Sequence, residues 1–171
     1  RASPIVGLMS SVRRVRYASG RQAHASYMYG VYEAEAASLG ALYPSDVRAW
    51  TGSRIAKVGM PAYQDAWARN MIAYLQANKF DDVWIDDQTY RSTSLGPSPK
   101  PFGDNPTDAQ EKMWQDDDVS FIVNVGSKLR AAGFGVFANC GVSGGDDDAH
   151  IRKVWWPRFF PGVTGIASEY W

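Results

Sequence analysis

Three polar residues stand where short apolar stretches of this sequence end. Asp86 closes a stretch that begins at residue 80, Asn139 closes one that begins at residue 134, and Glu169 follows one that begins at residue 165. Apolar runs bounded by turn residues predict buried β-strands, and α/β folds keep their chemistry at the carboxyl ends of such strands. Two carboxylates at one edge suit cleavage of a glycosidic bond, because one donates a proton while the other attacks or activates water. We therefore expect Asp86 and Glu169 to be the two catalytic carboxylates.

The choice between Asp86 and its neighbour Asp87 depends on the alternation of side chains along a strand. With a period of two, Trp84 and Asp86 point to one side, and Val83 and Ile85 point to the other. Asp86 is then directed into the site and Asp87 serves the following loop. A slip of one residue in the register would exchange these roles, and a further alternative is that both aspartates cap a turn.

Two stretches with helical periodicity alternate with the predicted strands. The first begins at Pro61, which fits the first position of a helix, and ends near Asn78. The second begins with the capping box Thr107-x-x-Gln110 and ends at Gly133. Because strands and helices alternate, the sequence predicts parallel βαβ units and an α/β fold in one domain over residues 1–171.

Aromatic side chains near these strands are candidates for stacking on sugar rings. Trp84, Tyr29, Trp50 and Tyr90 are the candidates, and a role as core or loop anchors is open for each of them. The connection from residue 88 to residue 106 is long and contains four prolines, which favours an ordered lid or groove wall.

Several charged segments have simpler structural interpretations. Residues 11–21 carry four arginines and are expected to form a solvated loop. The next segment, residues 24–32, is rich in strand-forming residues and is expected to be a strand. The aspartates at 116–118 and 146–148 are expected in the first turns of helices, where a negative charge interacts favourably with the helix dipole. Pro157 is expected to end the second of these helices. A metal site at either run is the weaker alternative.

Composition excludes several classes of function. Lys plus Arg and Asp plus Glu each number 18 among 171 residues, so the zero net charge provides no overall field for nucleic acid or anionic membrane. No apolar run is long enough to span a bilayer, and the single Cys140 excludes an intrachain disulfide. Two histidines and one cysteine supply a zinc site poorly, and neither His24 nor His150 suits a Ser-His-Asp triad. We expect no metal and no cofactor.

The motifs around these strands resemble those of a known family. Phe80-Asp-Asp-Val-Trp-Ile-Asp-Asp87, preceded by Ala62-Tyr-Gln-x-x-Trp-Ala-x-Asn70, resembles glycoside hydrolases of the (β/α)8 type found in bacterial and phage proteins. These are relatives of the endo-α-1,4-polygalactosaminidases. Phe137-Ala-Asn139 and Ala167-Ser-Glu169 follow in the order of that family, whereas Asp82 stands where glycine is common.

The resemblance implies a division of roles within a partial (β/α)8 TIM-type barrel. Asp86 would be the nucleophile, Glu169 the general acid/base, and Asn139 a hydrogen-bond donor to substrate, with Asp87 as a further substrate contact. A retaining enzyme would place the two carboxyl groups about 5–5.5 Å apart. A complete barrel takes about 250 residues, so the last strands are expected elsewhere in a longer polypeptide. The implied substrate is a polysaccharide or oligosaccharide, with amino sugars as one option, and the implied location is extracellular or on a virion.

Two other functions remain as alternatives. A non-catalytic carbohydrate-binding or phage-tail-associated module could keep the same barrel without activity. A doubly wound nucleotide-binding fold is less well supported, because the glycine-rich residues 141–145 lack a phosphate-binding pattern.

Overall fold

A four-stranded parallel sheet with helices packed against it organises the computed structural model, which describes residues 13–26, 28–97, 99–141 and 151–167. Numbered along the chain, the elements are β1 (Val15–Ser19), β2 (Gln22–Ala23), α1 (Glu33–Ser38), β3 (Arg54–Ile55), α2 (Pro61–Asn78), β4 (Asp82–Thr89), α3 (Asp108–Ala131), β5 (Gly135–Gly141), a π-helical turn (Ile151–Trp155), a 3-10 turn (Trp156–Phe159) and β6 (Gly165–Ala167).

The main sheet has the strand order β1-β4-β5-β6, and all three neighbouring pairs are parallel. Helix α2 leads into β4, and α3 connects β4 to β5, as expected for βαβ units. The predicted α/β fold with parallel strands is therefore confirmed. Strands β2 and β3 form a separate antiparallel pair.

One face of the main sheet forms the hydrophobic core with α2 and α3. The fully buried sheet residues Val83, Ile85 and Val136 belong to one cluster with Trp67 of α2 and Phe121 of α3. Burying this apolar surface is the main stabilising contribution to the fold.

The opposite face of the sheet is less covered in the described part of the chain. Tyr17 is 48% exposed, and Trp84 and Phe137 are partly exposed. Parallel sheets are normally covered on both faces, so this partial exposure sets the face apart from the one that forms the core.

The predicted helix boundaries at Pro61, Asn78 and Thr107 are confirmed. Pro61 opens α2, and Lys79 ends it in the left-handed conformation with φ 56°. At the start of α3, the Gln110 backbone N–H donates to the Thr107 hydroxyl at 3.3 Å, and the Thr107 N–H donates to Gln110 Oε1 at 2.8 Å. Both helices thus begin and end where local chemistry indicated.

The expectation that Asp116, Asp117 and Asp118 lie in a first helical turn is wrong. Helix α3 begins at Asp108, so these residues lie more than two turns inside it. Asp116 pairs at the surface with Lys112 and Arg158, while Asp118 is buried. The aspartates at 146–148 lie outside the described residues. The π-helical turn ends at Trp155, and Pro157 lies in the 3-10 turn that follows.

The arginine-rich segment forms edge strand β1, not a solvated loop. The Arg13 guanidinium donates to Asp82 Oδ2 at 2.6 Å, and the guanidinium of Arg16 lies 4.8 Å from the ring centroid of Tyr74. Edge strands tolerate such charged side chains because one side of the strand is not enclosed by the sheet.

The strand predicted over residues 24–32 is not formed as expected. Strand β2 ends at Ala23, and the rest contributes an isolated bridge between His24 and Tyr32, with Tyr27 outside the described residues. Gly30 has φ +146°, and a Cβ atom there would lie 2.1 Å from Trp67 Nε1, so the chain turns closely over the indole. Only glycine fits this approach.

The proline-containing loop after β4 is tied to α3. The Ser92 N–H and hydroxyl donate to Glu111 at 2.9 and 3.0 Å, and Leu95 is buried in a second cluster with Trp114. No helix in the described part of the chain is long and apolar enough to cross a membrane.

Candidate active site

A β-bulge in β4 places Asp86 and Asp87 opposite a single residue of β5. Ile85 pairs with Ala138 and Gln88 pairs with Cys140, so both aspartates face Asn139. Asp87 adopts the left-handed conformation with φ 65°, which Asp tolerates better than most residues. The strand therefore continues through the aspartates to Thr89, instead of ending at Asp86, and the bulge turns the two carboxylates into different surroundings.

The Asp86 carboxylate is held from both neighbouring strands. Asn139 Nδ2 donates to Oδ1 at 2.7 Å, and the Tyr17 hydroxyl donates to Oδ2. Tyr17 pairs with Trp84 and Ser19 pairs with Asp86 between β1 and β4, which brings the phenol to the carboxylate on the less covered face. The structure thus brings together Asp86 and Asn139, whose proximity was expected from their strand positions.

Asp87 points to a different, more enclosed environment. Gln22 Nε2 donates to Asp87 Oδ2 at 2.6 Å, and Gln22 Oε1 accepts from the Thr51 hydroxyl at 2.6 Å. Burial and the negative charge of Asp86 raise the pKa of Asp87 to about 6, against the opposing effects of hydrogen bonds from Ser19 and Gln22 and the charge of Arg21. The surroundings of Asp87 therefore keep its carboxyl group protonated to a higher pH than an ordinary aspartate.

We expect Asp87→Asn to change how stability depends on pH. The carboxyl pKa is higher in the folded than in the unfolded chain, so its contribution favours folding at about pH 4 and is lost as the pH rises through about 6. The amide of the variant does not titrate and shows no such loss, so the variant should gain about 2 kcal/mol relative to wild type between about pH 4 and pH 7.5. Urea unfolding at both pH values measures the difference. The variant also loses the acceptor for the Ser19 hydrogen bond, but this loss changes the free energy of unfolding by the same amount at both pH values. An equal difference between variant and wild type at the two pH values would therefore contradict the raised pKa of Asp87.

The four aromatic candidates lie in different surroundings. Trp84 shares a strand face with Asp86. Tyr29 lies near Tyr17: burial and Asp86 are the main causes of the raised pKa of the Tyr17 phenol, and Tyr29 adds to them. Trp50 is 73% exposed, precedes Thr51 of the Gln22–Asp87 network, and has the Lys100 ammonium 5.6 Å from its ring centroid. Of these three, Trp84 lies on the same strand as the two aspartates.

Tyr90 has the anchor role that was left open for it. Its ring packs edge-to-face against Trp155 at a centroid distance of 5.4 Å and contacts the main core. Glu169 lies outside the described residues. Ala167, two positions before it in sequence, pairs with Asn139.

Sequence reasoning missed Tyr17 and Gln22, which contact the two aspartates. The alternation of Tyr17 and Ser19 is a strand signal, but the surrounding arginines indicated a loop. Gln22 carried no local signal, since its role arises from a contact with a residue 65 positions away.

A fully buried ion pair lies in the same region of the structure. Arg21 Nη2 is 2.7 Å from Asp118 Oδ1, and neither side chain is exposed to solvent. The guanidinium lies 3.3 Å from the Trp114 ring centroid, and Nη2 donates to the Trp114 carbonyl at 2.8 Å. Burial raises the pKa of Asp118 to about 7, and the Arg21 charge opposes this shift. Asp118 and Asp87 are both within electrostatic reach of Arg21.

The described residues contain no group of three His, Cys, Asp or Glu side chains that could hold a metal ion. What the arrangement offers is carboxylate chemistry: a partly exposed Asp86 with both oxygens hydrogen-bonded, and beside it Asp87, whose pKa is raised to about 6 by burial and by the Asp86 charge. Neither protein-family models nor curated proteins match this sequence.

Proposed function

We propose that the protein is a glycoside hydrolase in which Asp86 is one of two catalytic carboxylates. The observation that carries the proposal is the placement of Asp86 on the less covered sheet face, with Asn139 and Tyr17 each donating to one of its oxygens. Each carboxylate oxygen keeps a further lone pair, so the group is oriented without being blocked. Fixed orientation of a reacting group is a major source of catalysis.

The second carboxylate in this proposal is Glu169. The family resemblance suggests it, and its position in sequence after β6, the strand beside β5, supports it. Asp86 attacks the anomeric carbon, Glu169 protonates the departing oxygen, and Glu169 then takes a proton from the water that releases the sugar. Such a retaining sequence leaves the anomeric configuration unchanged.

The proposed architecture is part of a (β/α)8 barrel. The four parallel strands and their helices on one face support it, as does the less covered opposite face, which would line the barrel interior.

The proposed substrate is a polysaccharide, with Trp50 and Trp84 as stacking surfaces. Trp50 presents a largely exposed ring, and sugar rings pack well on such faces. A substrate of this class is consistent with an extracellular or virion-associated protein.

The test is release of reducing ends from soluble polysaccharides, including polymers of amino sugars, by the wild type and by Glu169→Gln. We expect cleavage by the wild type, and a kcat lower by at least about 100-fold for Glu169→Gln, since general acid catalysis contributes this much or more. Glu35→Gln, which alters a surface pair with Arg69, is the matched control and should cleave like wild type. Proton NMR of the first product should show the anomeric configuration of the substrate.

A non-catalytic carbohydrate-binding module is the second candidate, and the exposed Trp50 favours it. It predicts binding of a polysaccharide in affinity electrophoresis that Trp50→Ala weakens, with no new reducing ends in the wild type. Cleavage by the wild type would exclude this alternative.

A further inference from the structure

Tyr17 contacts the proposed nucleophile through a single hydroxyl group. In the parallel ladder between β1 and β4, Tyr17 pairs with Trp84, and its phenol extends toward the carboxyl end of β4 to reach Asp86 Oδ2. The other oxygen, Oδ1, accepts from Asn139. Rotation of the Asp86 carboxylate about χ2 would break both hydrogen bonds, so the two donors together determine its plane.

The two donors differ in their access to solvent. Asn139 is 4% exposed, whereas Tyr17 is 48% exposed. Of the two donors, the Tyr17 phenol is therefore the one that lies on the more exposed side of the Asp86 carboxylate.

The contact is not needed to hold β1 in the sheet. Backbone pairing runs from Val15–Asp82 to Ser19–Asp86, and the Arg14 N–H donates to Asp81 Oδ2 at 2.8 Å. Because these interactions anchor the strand independently, the phenol hydroxyl is available for a functional role.

We propose that Tyr17 is a positioning residue that orients the Asp86 carboxylate for attack, an inference that rests on the proposed glycosidase function. The hydroxyl stays protonated across the working range of an enzyme, because burial, the hydrogen bond to Asp86 and the Asp86 charge raise the pKa of Tyr17 far above its ordinary value. It acts as a neutral donor throughout the reaction, and no bond to it is formed or broken.

The kinetic test compares Tyr17→Phe with wild type on the substrate that the wild type cleaves. We expect kcat to fall about 10- to 100-fold while KM changes less than about threefold, because misorientation of a reacting group lowers the rate more than binding. Tyr32→Phe, which removes a hydroxyl from another exposed tyrosine, is the control and should retain wild-type values. If the wild type cleaves and Tyr17→Phe matches it in kcat, the positioning role is wrong while the proposed function stands. If the wild type cleaves no polysaccharide, both fall.

A spectroscopic test examines the contact itself without any substrate. In protein labelled with ¹³C at the tyrosine Cζ, the resonance lost in Tyr17→Phe identifies Tyr17. We expect its chemical shift at neutral pH to differ between wild type and Asp86→Asn, since the variant replaces the charged acceptor of the Tyr17 hydroxyl by a neutral amide. An unchanged chemical shift would overturn the proposal, because it would mean that the Tyr17 hydroxyl does not contact Asp86.

Discussion

Asp86→Asn is expected to lower polysaccharide hydrolysis by at least about 1,000-fold, because the amide is a poor nucleophile and cannot stabilise a developing positive charge at the anomeric carbon. The reducing-end assay measures this loss of activity, with enough variant protein added to detect slow cleavage. The fold should survive, since the introduced amide can still accept one hydrogen bond through its oxygen. The amide nitrogen cannot accept from the second donor, so the free energy of unfolding should fall by about 1–2 kcal/mol, which urea unfolding would detect.

The matched control is Asp81→Asn, which changes an exposed aspartate just before the opposite end of the same strand. Asp81 accepts a hydrogen bond from the Arg14 backbone and lies next to Asp82, where β4 begins. Activity of this variant should remain within about twofold of wild type, as for surface substitutions that touch no reacting group. Hydrolysis by Asp86→Asn within about tenfold of the control would contradict the role of Asp86. A retaining mechanism makes a further demand: azide should restore cleavage to Asp86→Gly by replacing the missing carboxylate.

Asp118→Leu is expected to lower the free energy of unfolding by about 3–5 kcal/mol, because it leaves the guanidinium of Arg21 buried without its partner. Neither side chain of this pair is exposed, so water cannot compensate for the lost carboxylate. Urea unfolding followed by tryptophan fluorescence is the measurement. Asp116→Ala on the same helix removes a surface pair with Lys112 and Arg158 and should change stability by no more than about 1 kcal/mol.

A double-mutant cycle separates the ion pair from packing effects. Arg21→Met combined with Asp118→Leu removes both charges and keeps apolar volume in the core. The double variant should therefore be more stable than the sum of the two single losses implies. Additive losses would show that the two side chains do not stabilise each other, and that the single variants are destabilised by packing alone.

Local signals were sufficient for much of the fold. Pro61 and the Thr107–Gln110 capping box act within one helical turn, so the beginnings of α2 and α3 follow from a few neighbouring residues. Their alternation with the apolar runs that form β4 and β5 was enough to predict parallel strands. The alternation along β4 also put Asp86 on the same side as Trp84, where it meets Asn139.

Long-range contacts explain the errors. The arginines of segment 13–19 favour solvent and so predict a loop, yet Arg13 is paired with Asp82, 69 positions later. Asp118 is expected at a helix N-terminus because the helix dipole favours a carboxylate there, yet it is buried inside α3 and paired with Arg21, which lies far away in sequence. In both cases the charge is compensated by a residue that no local pattern could identify.

The site shows the same division between local and distant information. Strand periodicity and the alternation of strands with helices are local properties, so the sequence was enough to predict Asp86 and Asn139 at one edge of an α/β sheet. The bulge that turns Asp86 and Asp87 into different surroundings, and the contacts of Tyr17 with Asp86 and of Gln22 with Asp87, became visible in the three-dimensional structure alone. The register of neighbouring strands sets these contacts, and register depends on the packing of the whole sheet.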